Sequence, residues 1–203
     1  MLASASLRLM RVRGCPRREE EMFKSCITNR SCDAIDVMEG LLAGAGCCAE
    51  DPMRHMAAGA AVITAFFNAG GKINGGTMTK GAALKEYAAR AEQIPACSCE
   101  TWCCCGAAVG VGQTLSVING ATPMTREPWG QCQRLTATVQ GHIAEAELSR
   151  CCSRSSYTAA LDAIDFLNEH FNVRMVRPER VTCTSCGGNA QCLREQCPYF
   201  PGE

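Results

Sequence analysis

The sequence predicts an all-α protein, a compact bundle of about six helices with a cysteine-rich C-terminal tail. Apolar residues recur at the spacing of one helix face, and no segment alternates with the period of two that strands show. The chain has 203 residues and is 47% hydrophobic, which is enough to bury a core. Residues 181–203 contain four cysteines and few helix formers. We expect a tail at 1–21, a helical domain at 22–180 and a metal-binding tail at 181–203 packed on that domain.

The first two helices are predicted from their caps and from apolar spacing. Asp33 is suited to cap a helix that stops at the glycine-rich residues 43–46. Pro52 suits the first turn of a second helix, which ends at Gly70 and Gly71. Because this second helix is apolar on nearly all sides, we expect it at the centre of the bundle.

Four more helices follow along the chain. Residues 79–93 form an amphipathic pattern with charged residues on one side. After the cysteine-rich stretch, the glycines of "GAAVGVGQTLSVI" lower helix propensity but let another backbone approach closely. The sequence "NGATP" breaks the chain, and two longer helices are predicted at about 128–148 and 156–171.

Charge and hydropathy exclude several classes of partner. Twenty basic residues balance twenty acidic ones, so charge does not favour nucleic acid or an anionic membrane as the main partner. No apolar run reaches the roughly 18 residues that a membrane span needs. The first 18 residues contain five arginines and no acid, which indicates either a transit peptide or a disordered tail ahead of a start near Met22. We expect a cytoplasmic protein.

Seventeen cysteines are the most unusual feature of the composition. Several are direct neighbours in the sequence, and adjacent cysteines are poorly placed to bridge one another: Cys47 with Cys48, Cys103 with Cys104 and Cys105, and Cys151 with Cys152. A disulfide scaffold also replaces a core that is too small, which is not the case here. Clustered thiols of this kind favour metal, cluster or redox chemistry in a reducing compartment.

The C-terminal tail carries the clearest metal motif. Cys183, Cys186, Cys192 and Cys197 are spaced C-x2-C-x5-C-x4-C, and a proline follows the last one. Short C-x2-C loops and a following proline occur at iron–sulfur ligands, and four cysteines also satisfy tetrahedral zinc. The pattern therefore predicts an iron–sulfur cluster, with zinc, disulfides or buried thiols as alternatives.

Two other groups of thiols are predicted near helix starts. If a helix begins near Cys99, then Cys99, Trp102 and Cys103 share one face, and the helix dipole favours thiolates there. The alternative is that small cysteines pack in a tight helix crossing. Cys151 and Cys152 precede a helix for which Ser153 or Ser155 is the expected cap.

Positive charge near Cys151 and Cys152 is expected to lower their pKa values, because Arg150 and Arg154 are neighbours in the sequence. The pair is therefore a candidate for metal ligation or redox chemistry. His55 lies in the most buried predicted helix. It is a candidate metal ligand, and the alternative is a core histidine bonded to a backbone carbonyl.

Several motifs together resemble a known family. The series "HMAAGAAVITAFFNAGG", "CETWCCCGAAVGVG", "NGATPMTREPWG", "RCCSRSSYTA" and the final "CPYF" is similar to the cysteine-rich family called domain of unknown function 5714. The resemblance covers about residues 35–200. The family pattern falls on His55, Cys99, Trp102, Cys105, Trp129, Cys151, Cys152, Cys183, Cys192 and Cys197. Cys97, Cys103, Cys104 and Cys186 are additions in this chain, and Arg54 stands where many relatives have a second histidine.

The resemblance implies an anaerobic, cysteine-based function near radical SAM proteins and methyltransferases, and it implies no particular reaction. It adds Cys99 and Cys105 to Cys151 and Cys152 as candidates for an internal site. The leading hypothesis is a 4Fe–4S protein that passes electrons or sulfur to such a partner enzyme. The alternatives are a metal-free thiol–disulfide enzyme and a zinc-stabilised interaction module. The helices, rich in small residues, also suit packing against a second copy as a homodimer.

Overall fold

The structure, a computed structural model, describes residues 16–46, 51 and 53–202. Within these residues the chain forms eight α-helices and no β-strand, which confirms the all-α prediction and corrects the expected count of six. The helices are α1 (Pro16–Thr28), α2 (Ala34–Ala45), α3 (Met53–Asn68), α4 (Lys80–Ala91), α5 (Ser98–Thr101), α6 (Gly106–Asn119), α7 (Glu127–Glu145) and α8 (Cys152–His170). Short 3-10 turns occur at Asn74–Gly76, Cys186–Gly188 and Arg194–Gln196.

The six predicted helices correspond to α2, α3, α4, α6, α7 and α8. The Asp33 carboxylate caps α2 by accepting hydrogen bonds from the backbone N–H groups of Ile35 at 2.8 Å and Asp36 at 3.3 Å. The two additional helices are α1, which begins before the predicted domain boundary, and the single turn α5. The predictions for residues 1–15, for Cys47 and Cys48 and for Pro52 lie outside the described residues.

The cysteine-rich stretch differs from its prediction. It is not the start of one helix, because α5 ends at Thr101 and Cys103 takes a left-handed backbone conformation with φ of 54°. The Ser98 hydroxyl donates to the Cys104 carbonyl at 3.0 Å and closes this turn. The prediction that Cys99, Trp102 and Cys103 share one helix face is therefore wrong. Helix α6 begins after Cys105, which is its N-cap.

Helix α3 lies at the centre of the bundle, as its apolar sequence predicts. Twelve of its residues are buried, and it contacts α1, α2, α4, α6 and α8. Gly59 shows how tight this packing is, because a methyl group at that position would lie 2.6 Å from Thr114 Oγ1 of α6 and would also collide with the Tyr87 ring of α4.

Three central helices run in the same direction. At their starts, Gly106 of α6 lies against the ring of His55 in α3, and further along Thr114 lies beside Gly59. At the far end, the ring of Phe171 after α8 packs edge-on against Phe66 of α3, with centroids 6.2 Å apart. Helices α3, α6 and α8 therefore begin at one end of the bundle, which is where His55, Cys105 and Cys152 lie. No described helix combines the length and the apolar character that crossing a bilayer needs.

Candidate metal centre

Five thiols line one cavity at the end of the bundle where α8 begins. Cys151, the N-cap of α8, lies opposite four cysteines of the C-terminal segment, residues 181–202, and the lining thiols are Cys151, Cys183, Cys186, Cys192 and Cys197. The space among the lining residues is partly open to solvent. We call this space the cysteine cavity. The tail cysteines thus meet a helical-domain thiol that the sequence assigns to an internal group.

The C-terminal segment is held against the helices by a carboxylate of α2. Glu39 accepts hydrogen bonds from the hydroxyl groups of Tyr157 in α8 and Thr184 in the segment. Beside it, the Arg54 guanidinium of α3 donates to the Ser185 hydroxyl at 2.6 Å. Three helices therefore contribute to positioning the loop that carries Cys183 and Cys186.

The last residues of the segment close the cysteine cavity with aromatic rings. The Cys183 N–H donates to the Tyr199 carbonyl at 2.7 Å, which joins the two ends of the segment. The Tyr199 hydroxyl lies 3.1 Å from the Thr158 hydroxyl of α8, and the Tyr199 ring packs on Tyr157 with centroids 5.2 Å apart. Tyr157, Tyr199 and Phe200 all line the cavity, so part of its wall is aromatic.

Polar hydrogens point at some of the sulfur atoms. The backbone N–H of Arg194 donates to Cys192 Sγ at 3.5 Å, and the Asn189 side chain lies 3.9 Å from Cys151 Sγ. The Cys186 thiol donates to the Cys183 carbonyl at 3.7 Å. N–H groups directed at sulfur stabilise thiolates and tune the potentials of the clusters they bind.

The buried guanidinium of Arg154 places a positive charge at this cavity. Its residue surface is only 8% exposed, it lines the cysteine cavity, and its guanidinium donates to the Ser149 carbonyl. Among the described residues, no Asp or Glu side chain forms a salt bridge with it. Because a buried charge without a counter-charge is costly, an anionic occupant of the cavity would stabilise this arrangement.

A second group of thiols lies behind the cavity. The Cys152 thiol interacts electrostatically with Cys105, Cys99 and Cys151, which places these four predicted residues in one neighbourhood. Cys105 and Cys152 are buried, at 8% and 5% exposure, whereas Cys99 is half-buried. The Cys105 N–H donates to the Gln140 side chain of α7 at 2.9 Å. Of the four, only Cys151 lines the cysteine cavity.

Burial raises the pKa values of two thiols, Cys152 and Cys183. Desolvation raises the pKa of Cys152 to about 12, and the nearby Arg150 charge lowers it by less than burial raises it. Burial also raises the pKa of Cys183 above its ordinary value. The expectation of a lowered pKa is therefore wrong for Cys152, because the start of α8 lies inside the protein and not at a hydrated surface. The predicted caps Ser153 and Ser155 lie inside α8, which Cys151 caps.

His55 lies in α3 beside this second group. A methyl group on Gly106 would lie 2.6 Å from His55 Nδ1, so the ring packs directly on the start of α6. The Nε2 atom is buried and has no hydrogen-bond partner among the described residues. Burial lowers the pKa of His55 to about 4, so the ring is neutral at pH 7.

The donor set fits a soft metal or an iron–sulfur cluster, since it consists of thiols and one imidazole. All fourteen cysteines in the described residues are free thiols. In the same part of the chain, no three His, Cys, Asp or Glu side chains are already grouped around a point that would hold a single ion. A cluster separates its ligand sulfurs more widely than one ion does. Binding of a single ion would require side-chain movement.

Three residues of the site have no clear signal in the sequence. Glu39 and Tyr157 occupy ordinary helix positions, and their contact with Thr184 depends on how the C-terminal segment folds back. Arg154 is marked only by its closeness to Cys151. Tyr199 follows the last cysteine in "CPYF", which the family resemblance includes and which indicates a packed end of the segment.

Comparison with curated proteins finds no match. No solved structure matches the chain either. A family model matches residues 22–200, which include every helix from α2 to α8 and the C-terminal segment up to Phe200. The chain therefore belongs to DUF5714, a family of unknown function.

Proposed function

We propose that the protein binds an iron–sulfur cluster, of the 4Fe–4S type, in the cysteine cavity and passes electrons or sulfur to a partner enzyme of anaerobic metabolism. The partner class, a radical SAM protein or a methyltransferase, comes from the family resemblance. A reducing cytoplasm suits such a protein, because its thiols must stay free of disulfides. No nucleic-acid or membrane partner enters the proposal.

One observation carries this proposal. Five thiols from two separate parts of the chain line a cavity that also contains the buried guanidinium of Arg154, which forms no salt bridge with any described Asp or Glu. Four thiolates and a cluster are together anionic, so they supply the counter-charge that Arg154 lacks among the described residues. A purely structural packing of cysteines would not account for a buried cation at the same place.

The residues of the cavity have distinct roles in this proposal. Four of the five thiols hold the cluster, which supplies one-electron transfer when bound. Tyr157, Tyr199 and Phe200 keep water away from it, and burial is one of the factors that set a cluster potential. The N–H of Arg194 stabilises the Cys192 thiolate by its hydrogen bond.

The metal-free alternative is less well supported. A thiol–disulfide enzyme needs an attacking thiol whose pKa is near the ambient pH. Burial instead raises the pKa of Cys152 and of Cys183, which keeps both protonated in the absence of metal. A metal ion or cluster would remove these protons directly. The raised pKa values therefore argue against thiol exchange at these two positions.

Anaerobic purification with metal analysis tests the proposal. We expect iron and acid-labile sulfide in the wild-type protein, with broad charge-transfer absorption and a brown colour. Replacing Cys183 and Cys197 together by serine leaves only three thiols in the cavity, and we expect most of the iron to be lost.

The matched control is the double change Cys32→Ser and Cys132→Ser, since neither residue lines the cavity, and it should keep its iron. Equal iron in both double variants would contradict the ligand assignment. If the protein is colourless and contains zinc, the result supports the zinc-stabilised interaction module instead. If it contains neither iron nor zinc, the result supports the metal-free thiol–disulfide enzyme.

A further inference from the structure

The cysteine cavity does not account for the surroundings of the His55 Nε2 atom. This atom is buried without a hydrogen-bond partner in the part of the chain that the structure describes, and His55 does not line that cavity. A buried polar atom that lacks a partner costs free energy and calls for an explanation. At neutral pH the ring is uncharged, and a neutral imidazole nitrogen is a common metal ligand.

Two buried thiols lie next to this histidine. Cys105 directly precedes Gly106, the residue against which the His55 ring packs. Cys152 interacts electrostatically with Cys105, and the charge of Arg150 acts on both His55 and Cys152. One imidazole and two thiols from the starts of three helices therefore share one neighbourhood.

We propose that His55, Cys105 and Cys152 bind a single divalent ion of the zinc type, with Cys99 as the fourth donor. One nitrogen and three sulfurs are a usual tetrahedral zinc set. The ion would give Nε2 the partner it lacks and would join the starts of α3, α6 and α8. Because the donors are not already gathered around one point, the ion must draw them together by side-chain rotation.

This site is separate from the proposed cluster. None of the four donors lines the cysteine cavity, although Cys152 is the chain neighbour of Cys151. The two proposed sites therefore adjoin through the neighbouring residues Cys151 and Cys152. The inference does not depend on the cluster, because its donors and its unexplained atom are different.

Cobalt titration of the metal-free full chain tests the inference. Co²⁺ replaces Zn²⁺ in tetrahedral sites and gives visible d–d bands and thiolate charge-transfer absorption. We expect His55→Ala and Cys152→Ser each to bind one Co²⁺ fewer per chain than wild type and to lose the bands of this site. Cys132→Ser, a change of another buried thiol away from both sites, should titrate as wild type does.

A measurement on the wild-type protein avoids the problem that a variant fails to fold. In protein labelled with ¹⁵N in histidine, Zn²⁺ should shift the Nε2 resonance of His55, assigned by comparison with His142→Gln and His170→Gln. An unshifted Nε2 resonance, or identical cobalt stoichiometry in His55→Ala and wild type, would overturn the inference. Iron content after anaerobic purification reports on the cysteine cavity separately, so the two proposals can fail independently.

Discussion

At the scale of single residues, burial outweighs local charge at this site. The arginines around Cys152 would lower a hydrated thiol's pKa, yet desolvation raises that pKa to about 12. The same effect acts on His55 in the opposite direction, because the charged form of histidine is the protonated one. Both groups are therefore neutral in the folded, metal-free protein, which is the state that a metal ion would find.

The pKa of His55 predicts how stability depends on pH. Its folded value of about 4 lies below the ordinary 6.5, so the unfolded chain binds more protons between these values. This contribution to stability is complete above pH 6.5 and is lost as pH falls towards 4, by up to about 3 kcal/mol. Urea unfolding of metal-free protein at pH 7 and pH 4.5 should show a smaller loss in His55→Asn than in wild type.

His142 serves as the control for this pH experiment. Its hydrogen bond to Asp162 raises its pKa, so its contribution is present at low pH and is lost as pH rises through the folded value. His142→Asn should therefore lower stability more at pH 4.5 than at pH 7. Equal pH dependence in wild type and His55→Asn would show that His55 is not buried in its neutral form.

At the scale of elements, close packing of the helices fixes where α3 and α6 begin relative to each other. Helices α3 and α6 approach so closely that Gly59 and Gly106 have no room for a side chain. The Tyr87 hydroxyl of α4 donates to the Met56 carbonyl at 3.2 Å and fills the same region. The start of α6, with Cys105 as its cap, is thereby held against His55.

Adding one methyl group at Gly59 tests this packing. Gly59→Ala should lower the free energy of unfolding by roughly 1–3 kcal/mol, because the new methyl would collide with Tyr87 and Thr114. Gly44→Ala is the matched control, since no atom lies within 4 Å of its added methyl, and it should raise stability by roughly 0.5–1 kcal/mol. Thermal or urea unfolding measures both. If Gly59→Ala raised the free energy of unfolding as much as Gly44→Ala does, the close approach of α3 to α6 and Tyr87 would be contradicted.

At the scale of the whole molecule, the C-terminal segment completes the site. It brings four of the five thiols of the cysteine cavity, and Glu39 joins it to α2 and α8. The segment has only short 3-10 turns of its own. Its position therefore depends on contacts with the helices.

Removing the Glu39 carboxylate should loosen the segment. Glu39→Ala deletes two hydrogen bonds to a charged group, and we expect backbone amides of residues 181–202 to exchange about tenfold faster in hydrogen–deuterium exchange. Iron retained after anaerobic purification should fall as well. Glu86→Ala removes a half-exposed carboxylate that pairs only within α4, and it should change neither quantity. Unchanged exchange in Glu39→Ala would show that other contacts hold the segment.

The sequence by itself determined the helices and the side chains available as candidate metal ligands. Apolar spacing, the Asp33 cap and the glycine stops are properties of a few neighbouring residues, so they predict α2, α3, α4, α6, α7 and α8 closely. The helix predicted from local spacing between Cys99 and Cys105 is wrong, because the left-handed backbone conformation of Cys103 interrupts it.

Only the tertiary structure decided which donors meet. Cys151 lines the cavity with the tail cysteines, whereas its neighbour Cys152 does not line it and lies near enough to Cys105 to interact with it electrostatically. The contact of Glu39 with Thr184 and the burial of Arg154 likewise depend on where the chain folds back. Burial, which sets the pKa values of Cys152 and His55, is created by elements distant in the sequence, so no local pattern encodes it.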